Sequence, residues 1–269
     1  MRIMEYIVEY LESLDKIDKL KTKINILADI DEKVFILLGA GASKSSGCSL
    51  FIDIANKVKE KYNLKADNNN HSIMKAFQDY LKNVNDEYER YAMLHSYFEG
   101  KELSLGYYCL AELIYKGYFN GKVMTLNIDI LLEQSFQSLG LLYPKDFTVL
   151  IPEYHKEEKI KKSLEFKESR IPPHIKIIKL HGDLYAPIFM LRPGETFESL
   201  PYIKSFLEQS LNNHVIIIGY SMSFSDFDIA KCFEKNREKN IWYVNQDKPM
   251  DNSFAIMVTP KIKTKNRPK

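Results

Sequence analysis

An unbroken apolar run, Val34-Phe35-Ile36-Leu37-Leu38, gives way without a linker to Gly39-Ala40-Gly41-Ala42-Ser43. Five consecutive apolar residues do not suit a strand with one wet face, which alternates. They suit a strand covered on both faces, as in a parallel sheet sandwiched between helices. The glycines that follow let the backbone turn tightly and approach a bulky neighbour. N–H groups at the start of the next helix then favour an anion such as a pyrophosphate. Many strand-to-helix turns also carry two glycines for steric reasons alone, so this fragment leaves a steric turn and a phosphate cradle equally open.

The rest of the chain repeats the arrangement. Apolar strand segments are expected at 33–38, Gly121–Thr125, Ile175–Leu180, Val215–Ile218 and Ile241–Val244, with a further short run at Phe147–Ile151. Helical periodicity separates them: Phe51 to Tyr62, Ile130 to Leu139, about Ser199 to Leu211, and a further helix before Ile241. Ser253–Val258 fits either a last strand or an irregular tail. Alternation of this kind predicts an α/β fold, a Rossmann-like doubly wound parallel sheet with right-handed crossovers.

Two segments fall outside that rhythm. Residues 1–30 read as an amphipathic helical region, with Ile3, Tyr6, Ile7, Tyr10, Leu11 and Leu14 at helical spacing and Leu20 and Ile24 continuing it. Residues of about 66–120 read as a helical module inserted into the domain spanning 31–269. Its aromatics, Phe77, Tyr80, Tyr88, Tyr91, Tyr97, Phe98, Tyr107 and Tyr108, are expected in the core rather than on a stacking platform. His155 to Arg170, dense in lysine and glutamate, reads as a solvated helix or surface excursion.

Bulk properties bound the function. The 269 residues are 45% hydrophobic and 28% charged with a net charge of +2, the profile of a globular chain with no large basic field. Direct nucleic-acid binding is therefore not expected. Three isolated cysteines, Cys48, Cys109 and Cys232, fit a reducing compartment, and no CxxC pair suggests a zinc ribbon. No apolar segment is long enough to span a bilayer and the N-terminus lacks a signal-peptide pattern. The expectation is a cytoplasmic protein.

Five strand ends carry small or polar residues: Gly39–Ser43, Asn127–Asp129, His181–Asp183, Gly219–Ser221 and Asn245. In open parallel sheets, ligands bind outside the carboxyl ends of the strands, so five such ends would line one crevice. In order along the chain, the motifs resemble those of the sirtuin-like (SIR2) superfamily. Gly39-Ala40-Gly41-Ala42-Ser43 with Ser46-Gly47 resembles its nucleotide loop, and Thr125-Leu126-Asn127-Ile128-Asp129 its T-x-N-x-D motif. Leu180-His181-Gly182 resembles the catalytic histidine-glycine pair, Gly219-Tyr220-Ser221 the ribose-binding turn, and Asn245 a later asparagine near the adenosine. The resemblance covers about 33–247.

The departures narrow the reading. Protein deacylases of this superfamily continue the first loop into an aspartate-phenylalanine-arginine segment; here Ser49-Leu50-Phe51-Ile52 keeps only the phenylalanine. Leu126 stands where a glutamine is usual, and the zinc module is missing. Ser223-Phe224-Ser225-Asp226-Phe227-Asp228 is similar to the bacterial SIR2-like branch of antiphage NADases.

The resemblance implies NAD⁺ as substrate and no metal. Gly39, Ala40, Gly41, Ser43, Ser46, Gly219, Ser221 and Asn245 are the expected nucleotide contacts. Asn127, His181 and Asp129 are the expected catalytic residues. Asn127 offers a carbonyl to water or a ribose hydroxyl and an NH₂ as donor. Asp129 would face the carboxamide or the positive charge developing at the ribose. His181, with an ordinary pKa of about 6.5, suits proton removal at neutral pH. Asp183 is read as a turn cap, and Tyr220 as either stacking on adenine or packing.

The leading expectation is an NAD⁺ glycohydrolase acting as an antiphage effector. At this length its control is expected from a protein partner or from homo-oligomer assembly. A module binding NAD or an ADP-ribose derivative without turnover, and a protein deacylase or ADP-ribosyltransferase, are the alternatives.

Overall fold

The structure is a computed structural model that describes residues 15–26, 34–84, 86–151, 173–186, 188–189, 204–205, 207–208, 214–220, 232, 241–245 and 255–258. Helix α1 covers 15–26, followed by β1 at Val34–Leu38 and a 3-10 helix at Ala40–Ser46. Four helices come next: α2 (Phe51–Tyr62), α3 (Asn70–Asn83), α4 (Glu87–Phe98) and α5 (Leu105–Tyr115). Strand β2 (Phe119–Thr125), α6 (Leu131–Ser138), β3 (Phe147–Leu150) and β4 (Ile175–Lys179) complete the first half of the sheet. The short strands β5 (Gly182–Asp183) and β6 (Ile188–Phe189) pair with each other. Strands β7 (Val215–Ile218), β8 (Ile241–Val244) and β9 (Ala255–Val258) form the other half.

Seven strands make one sheet in the order β3-β4-β2-β1-β7-β8-β9, and every pairing in it is parallel. All five residues of β1 are buried, as an apolar run without alternation requires. Ser253–Val258 thus ends in a strand, and β2 starts two residues earlier than the sequence suggests, pairing Phe119 with Val34. The N-terminal half of the 1–30 region, the lysine-rich 155–170 segment and most of the two helices expected before β7 and β8 lie outside the described residues.

The apolar interior has two parts. One joins the sheet to α5 and α6: Ile36 and Val123 pack with Tyr107, Ala111, Leu132 and Phe136, and Leu20 and Ile24 of α1 lie against it. The other belongs to α2, α3 and α4, where Ile54, Val58, Phe77, Leu81 and Leu94 form a separate cluster. Ile128 and Leu184, from the loops after β2 and β5, insert into this second cluster. Local chemistry sets the helix ends: the Asn69 and Asp86 side chains accept the N–H groups of Ser72 and Tyr88, both at 2.8 Å. Among the module's aromatics, Phe77 and Tyr107 are core residues, but Tyr88 (77% exposed) and Tyr108 (41%) are not. A helix packed on one side must turn some of its aromatics outward when they outnumber the positions on its buried stripe.

Candidate active site

The five strands bearing the polar ends are β4, β2, β1, β7 and β8, five consecutive neighbours in the sheet. Because all run parallel, their carboxyl ends share one edge. The chain winds from β1 outward through β2 and β4, then crosses back to β7 on the far side of β1. Crevices open at such a switch point.

The glycine turn is built for contact between two strand ends. Gly39 N–H donates to Ile218 O (2.9 Å) and Gly41 N–H to Gly219 O (2.7 Å). A Cβ on Gly39 would fall 2.5 Å from the Tyr220 Cα, one on Gly41 2.8 Å from the Gly219 oxygen, and one on Gly219 2.1 Å from the Ala42 nitrogen. Gly219 also has a positive φ of 66°. Gly39 and Gly41, expected among the nucleotide contacts, thus have their N–H groups engaged within the chain. Both donors are spent on β7, since a backbone N–H held against a carbonyl pairs with it. Ala40, between them, lines the crevice.

Ser43, Cys48, Asn127 and Asp129 give the crevice its polar lining, and Phe51 and Phe98, with ring centroids 6.3 Å apart, its aromatic one. Burial, reinforced by the Asp129 charge, pushes the Cys48 thiol up to about 12, so it is a protonated wall rather than a nucleophile.

Behind the lining runs a continuous hydrogen-bond chain. Ser43 Oγ donates to Asp129 Oδ2 (2.7 Å) and accepts from Asn127 Nδ2 (3.0 Å). The Tyr107 hydroxyl lies 2.8 Å from Ser43 Oγ and also accepts from Asn127 Nδ2, at 3.3 Å. Asn127 N–H bonds Thr125 Oγ1 (3.0 Å), and Leu131 N–H bonds Asp129 Oδ1 (3.1 Å), which fixes the turn. With its NH₂ turned to these two oxygens, Asn127 Oδ1 is buried and has no protein partner. A buried carbonyl left without a hydrogen bond costs about 1–3 kcal/mol, so a donor from outside the chain would stabilise this atom. Burial raises the Asp129 carboxyl above the usual carboxylate range, with the Ser43 bond and the Lys179 charge pulling the other way. Burial and the Asp129 charge hold Tyr107 well above an ordinary phenol, keeping it a donor.

Beneath the turn sits Lys179, fully buried. Its ammonium donates to Ile128 O (3.3 Å), Asp129 O (2.7 Å), Glu133 Oε1 (2.9 Å) and Asp183 Oδ2 (2.5 Å). Burial works against that charge, but Glu133 and Asp183 outweigh it and hold the lysine above its usual value. Burial raises Glu133 despite the same lysine. Asp183 Oδ1 accepts from Tyr185 and Ala186 N–H (2.7 and 3.0 Å) and so caps the turn. His181 is half-buried on that turn, between Lys179 and Asp183.

The other expected residues are placed as follows. Ser46 Oγ accepts from Ser104 N–H at 3.1 Å and ties the 3-10 helix to α5, away from the crevice lining. Asn245 Nδ2 donates to the Tyr243 hydroxyl (2.9 Å) and, more weakly, to Tyr220 O (3.4 Å), bracing the Gly219 turn from β8. Tyr220 is buried. Ser221 lies outside the described residues. Three site residues escape the sequence reading: Tyr107, indistinguishable from other core aromatics, and Lys179 with Glu133. Among the described residues, no group of three or more His, Cys, Asp or Glu side chains is placed to hold a metal ion. None of the helices among them is long and apolar enough to cross a membrane.

A scan of protein families matches residues 121–269 to the SIR2-like domain, more than half the chain. The chain belongs to the SIR2-like domain family. The matched stretch carries Asn127, Asp129, His181, Gly219 and Asn245. Two solved structures share the SIR2-like architecture, each with a TM-score of 0.50. One comes from work on the mechanism and regulation of Sir2 enzymes, at 16% identity over 91% of this chain and 92% of that one. The second is an ADP-ribose complex of a serine-to-alanine mutant of a Sir2 homologue, at 15% identity over 87% and 89%. At these identities the likeness establishes the fold. No curated protein matches the chain.

Proposed function

We propose that this SIR2-like chain is an NAD⁺ glycohydrolase releasing nicotinamide and ADP-ribose. The observation that carries the reading is the Asn127 carbonyl oxygen, buried beside Asp129 with no partner in the chain. A ribose hydroxyl or an attacking water would supply the donor that this acceptor lacks within the chain.

In the reaction, the bond from the ribose C1′ to the pyridinium nitrogen breaks and its electron pair leaves with neutral nicotinamide. No acid is needed for that departure. The sugar centre becomes oxocarbenium-like, as in other glycosidic cleavages. Asn127 orients the incoming water or the ribose, and the Asp129 carboxylate stabilises positive charge beside it. Water adds to C1′, and His181 takes the proton released. The Ser43 and Ala40 end of the glycine loop, with Gly219, Ser221 and Asn245, holds the rest of the dinucleotide.

An enzyme that drains the cytoplasmic NAD⁺ pool must have an off state, so control by a protein partner or by self-assembly belongs to the same proposal, in the role of an antiphage effector. The test is nicotinamide release from NAD⁺ by the purified chain, with and without the products of neighbouring genes. Activation by one of them, abolished in Asn127→Ala with the fold intact, is the expected result. O-acyl-ADP-ribose formed from an acylated peptide would move the protein to the deacylases. Tight NAD⁺ binding without nicotinamide under every condition would make it a binding module.

A further inference from the structure

We propose that Tyr107, on helix α5 of the inserted module, is a positioning residue that holds the Asn127 amide with its carbonyl toward the ligand. The inference rests on the crevice being the nucleotide site, and deepens that reading.

An asparagine amide has two orientations of similar shape, and only its partners choose between them. Both neighbours of Asn127 here are hydroxyls, each able to donate or accept. What settles their direction is the carboxylate at the end of the chain. Asp129 takes the Ser43 proton at 2.7 Å, so Ser43 turns its lone pairs to the other side. One of these receives the Tyr107 proton across 2.8 Å, which leaves the Tyr107 oxygen facing Asn127 as an acceptor. The amide therefore meets acceptors only: Ser43 Oγ at 3.0 Å and Tyr107 Oη at 3.3 Å. Its NH₂ must point there, and Oδ1 is left to the crevice, where it has no partner in the chain.

Ser43 and Tyr107 both present oxygen to the NH₂ side of the amide. Tyr107 is also the donor that fills Ser43's second lone pair. Without its hydroxyl, Asn127 loses one of the two contacts that define its orientation. The Tyr107 ring itself is packed in the core between α5 and the sheet, so its oxygen is held in place without help from a ligand. Phenylalanine at this position keeps the packing and removes only the oxygen.

The experiment is a double-mutant cycle on the full chain with Tyr107→Phe, Asn127→Ala and both together. It is read by ADP-ribose affinity in calorimetry and, with the activating partner where one is needed, by the rate of nicotinamide release. Tyr107→Phe is expected to weaken ADP-ribose roughly 3- to 10-fold and to slow turnover about 10-fold with little change in melting temperature. The double variant should be no worse than Asn127→Ala alone, because Tyr107 acts through that amide. Tyr107→Phe within 2-fold of wild type, or losses that multiply in the double variant, would overturn the proposal, as would a wild-type chain that does not bind ADP-ribose. A wild-type chain that binds ADP-ribose but never releases nicotinamide would remove the glycohydrolase reading. The binding cycle would still decide the role of Tyr107.

Discussion

Replacing Lys179 with methionine should cost more than any other single change beneath the site, and the cost should depend on pH. The lysine is fully buried, and its four partners include the carboxylates of Glu133 and Asp183. Methionine fills similar space, so the loss is electrostatic. Two buried carboxylates lose their cation, and the carbonyls of Ile128 and Asp129 lose a donor. Removing one member of a buried ion pair costs about 3–5 kcal/mol. Set against a total stability of roughly 5–15 kcal/mol, that is a large fraction. At about 2–4 °C per kcal/mol for a chain of this size class, the melting temperature should fall by roughly 6–20 °C at pH 8.

The sign of the pH dependence follows from Glu133, whose carboxyl burial already raises and which loses its cation. Its stability contribution is complete below the unfolded value and is lost as pH rises through the folded one. Lys179→Met should therefore sit closer to wild type at pH 5 than at pH 8. Glu133→Gln and Asp183→Asn added to it should recover much of the loss, because the charge imbalance is then gone. Calorimetric melts of the three proteins at both pH values test this. A melting temperature within 2 °C of wild type at pH 8, or an identical loss at both pH values, would refute the reasoning.

Three further outcomes can be checked. Gly219→Ala combines a φ of 66° with a Cβ placed 2.1 Å from the Ala42 nitrogen, whereas Gly100→Ala has a φ of 65° and open space around it. Urea melts should show about 1 kcal/mol lost for Gly100→Ala and about 3 kcal/mol or more for Gly219→Ala; equal losses would dismiss the contact between the glycine turns. Asp129 carries a carboxyl raised by burial, so wild-type stability should decline as pH climbs from the unfolded carboxylate value through the folded one, and Asp129→Asn should flatten that decline. Iodoacetamide on the native protein at pH 8 should label exposed Cys109 well before Cys48, whose thiol is buried and pushed up to about 12. Mass spectrometry of the labelled peptides gives the order, and faster reaction at Cys48 would contradict it.

The sheet was legible because its chemistry is local. Val34–Leu38 and Val215–Ile218 are apolar at every position, and a strand enclosed on both faces needs nothing more to declare itself. The polar strand ends were legible for the same reason, and parallel pairing then put the five on one edge. What the sequence hides depends on partners far along the chain. Lys176 and Lys179 in Ile-Lys-Ile-Ile-Lys put a charge on each face of β4, yet both are buried. Lys179 is tolerated there because Glu133, 46 residues earlier, comes within 2.9 Å. Tyr107 reads as one more core aromatic until Ser43 and Asn127, 64 and 20 residues away, meet its hydroxyl. The Gly41 N–H meets its acceptor, Gly219 O, only when the β7 turn comes alongside.

Ile128 and Leu184 give the helical module a second meaning. Each sits one residue from a site residue, next to Asn127 and Asp129 in one loop and next to Asp183 in the other, and each is buried in the cluster of α2, α3 and α4. A force that shifts those helices therefore arrives at the amide and the carboxylate through two aliphatic pegs, without any molecule entering the crevice. Trimming the module would not simply shorten the protein. It would strip the cover from both pegs and leave Asn127 and Asp129 on a turn that nothing anchors from that side.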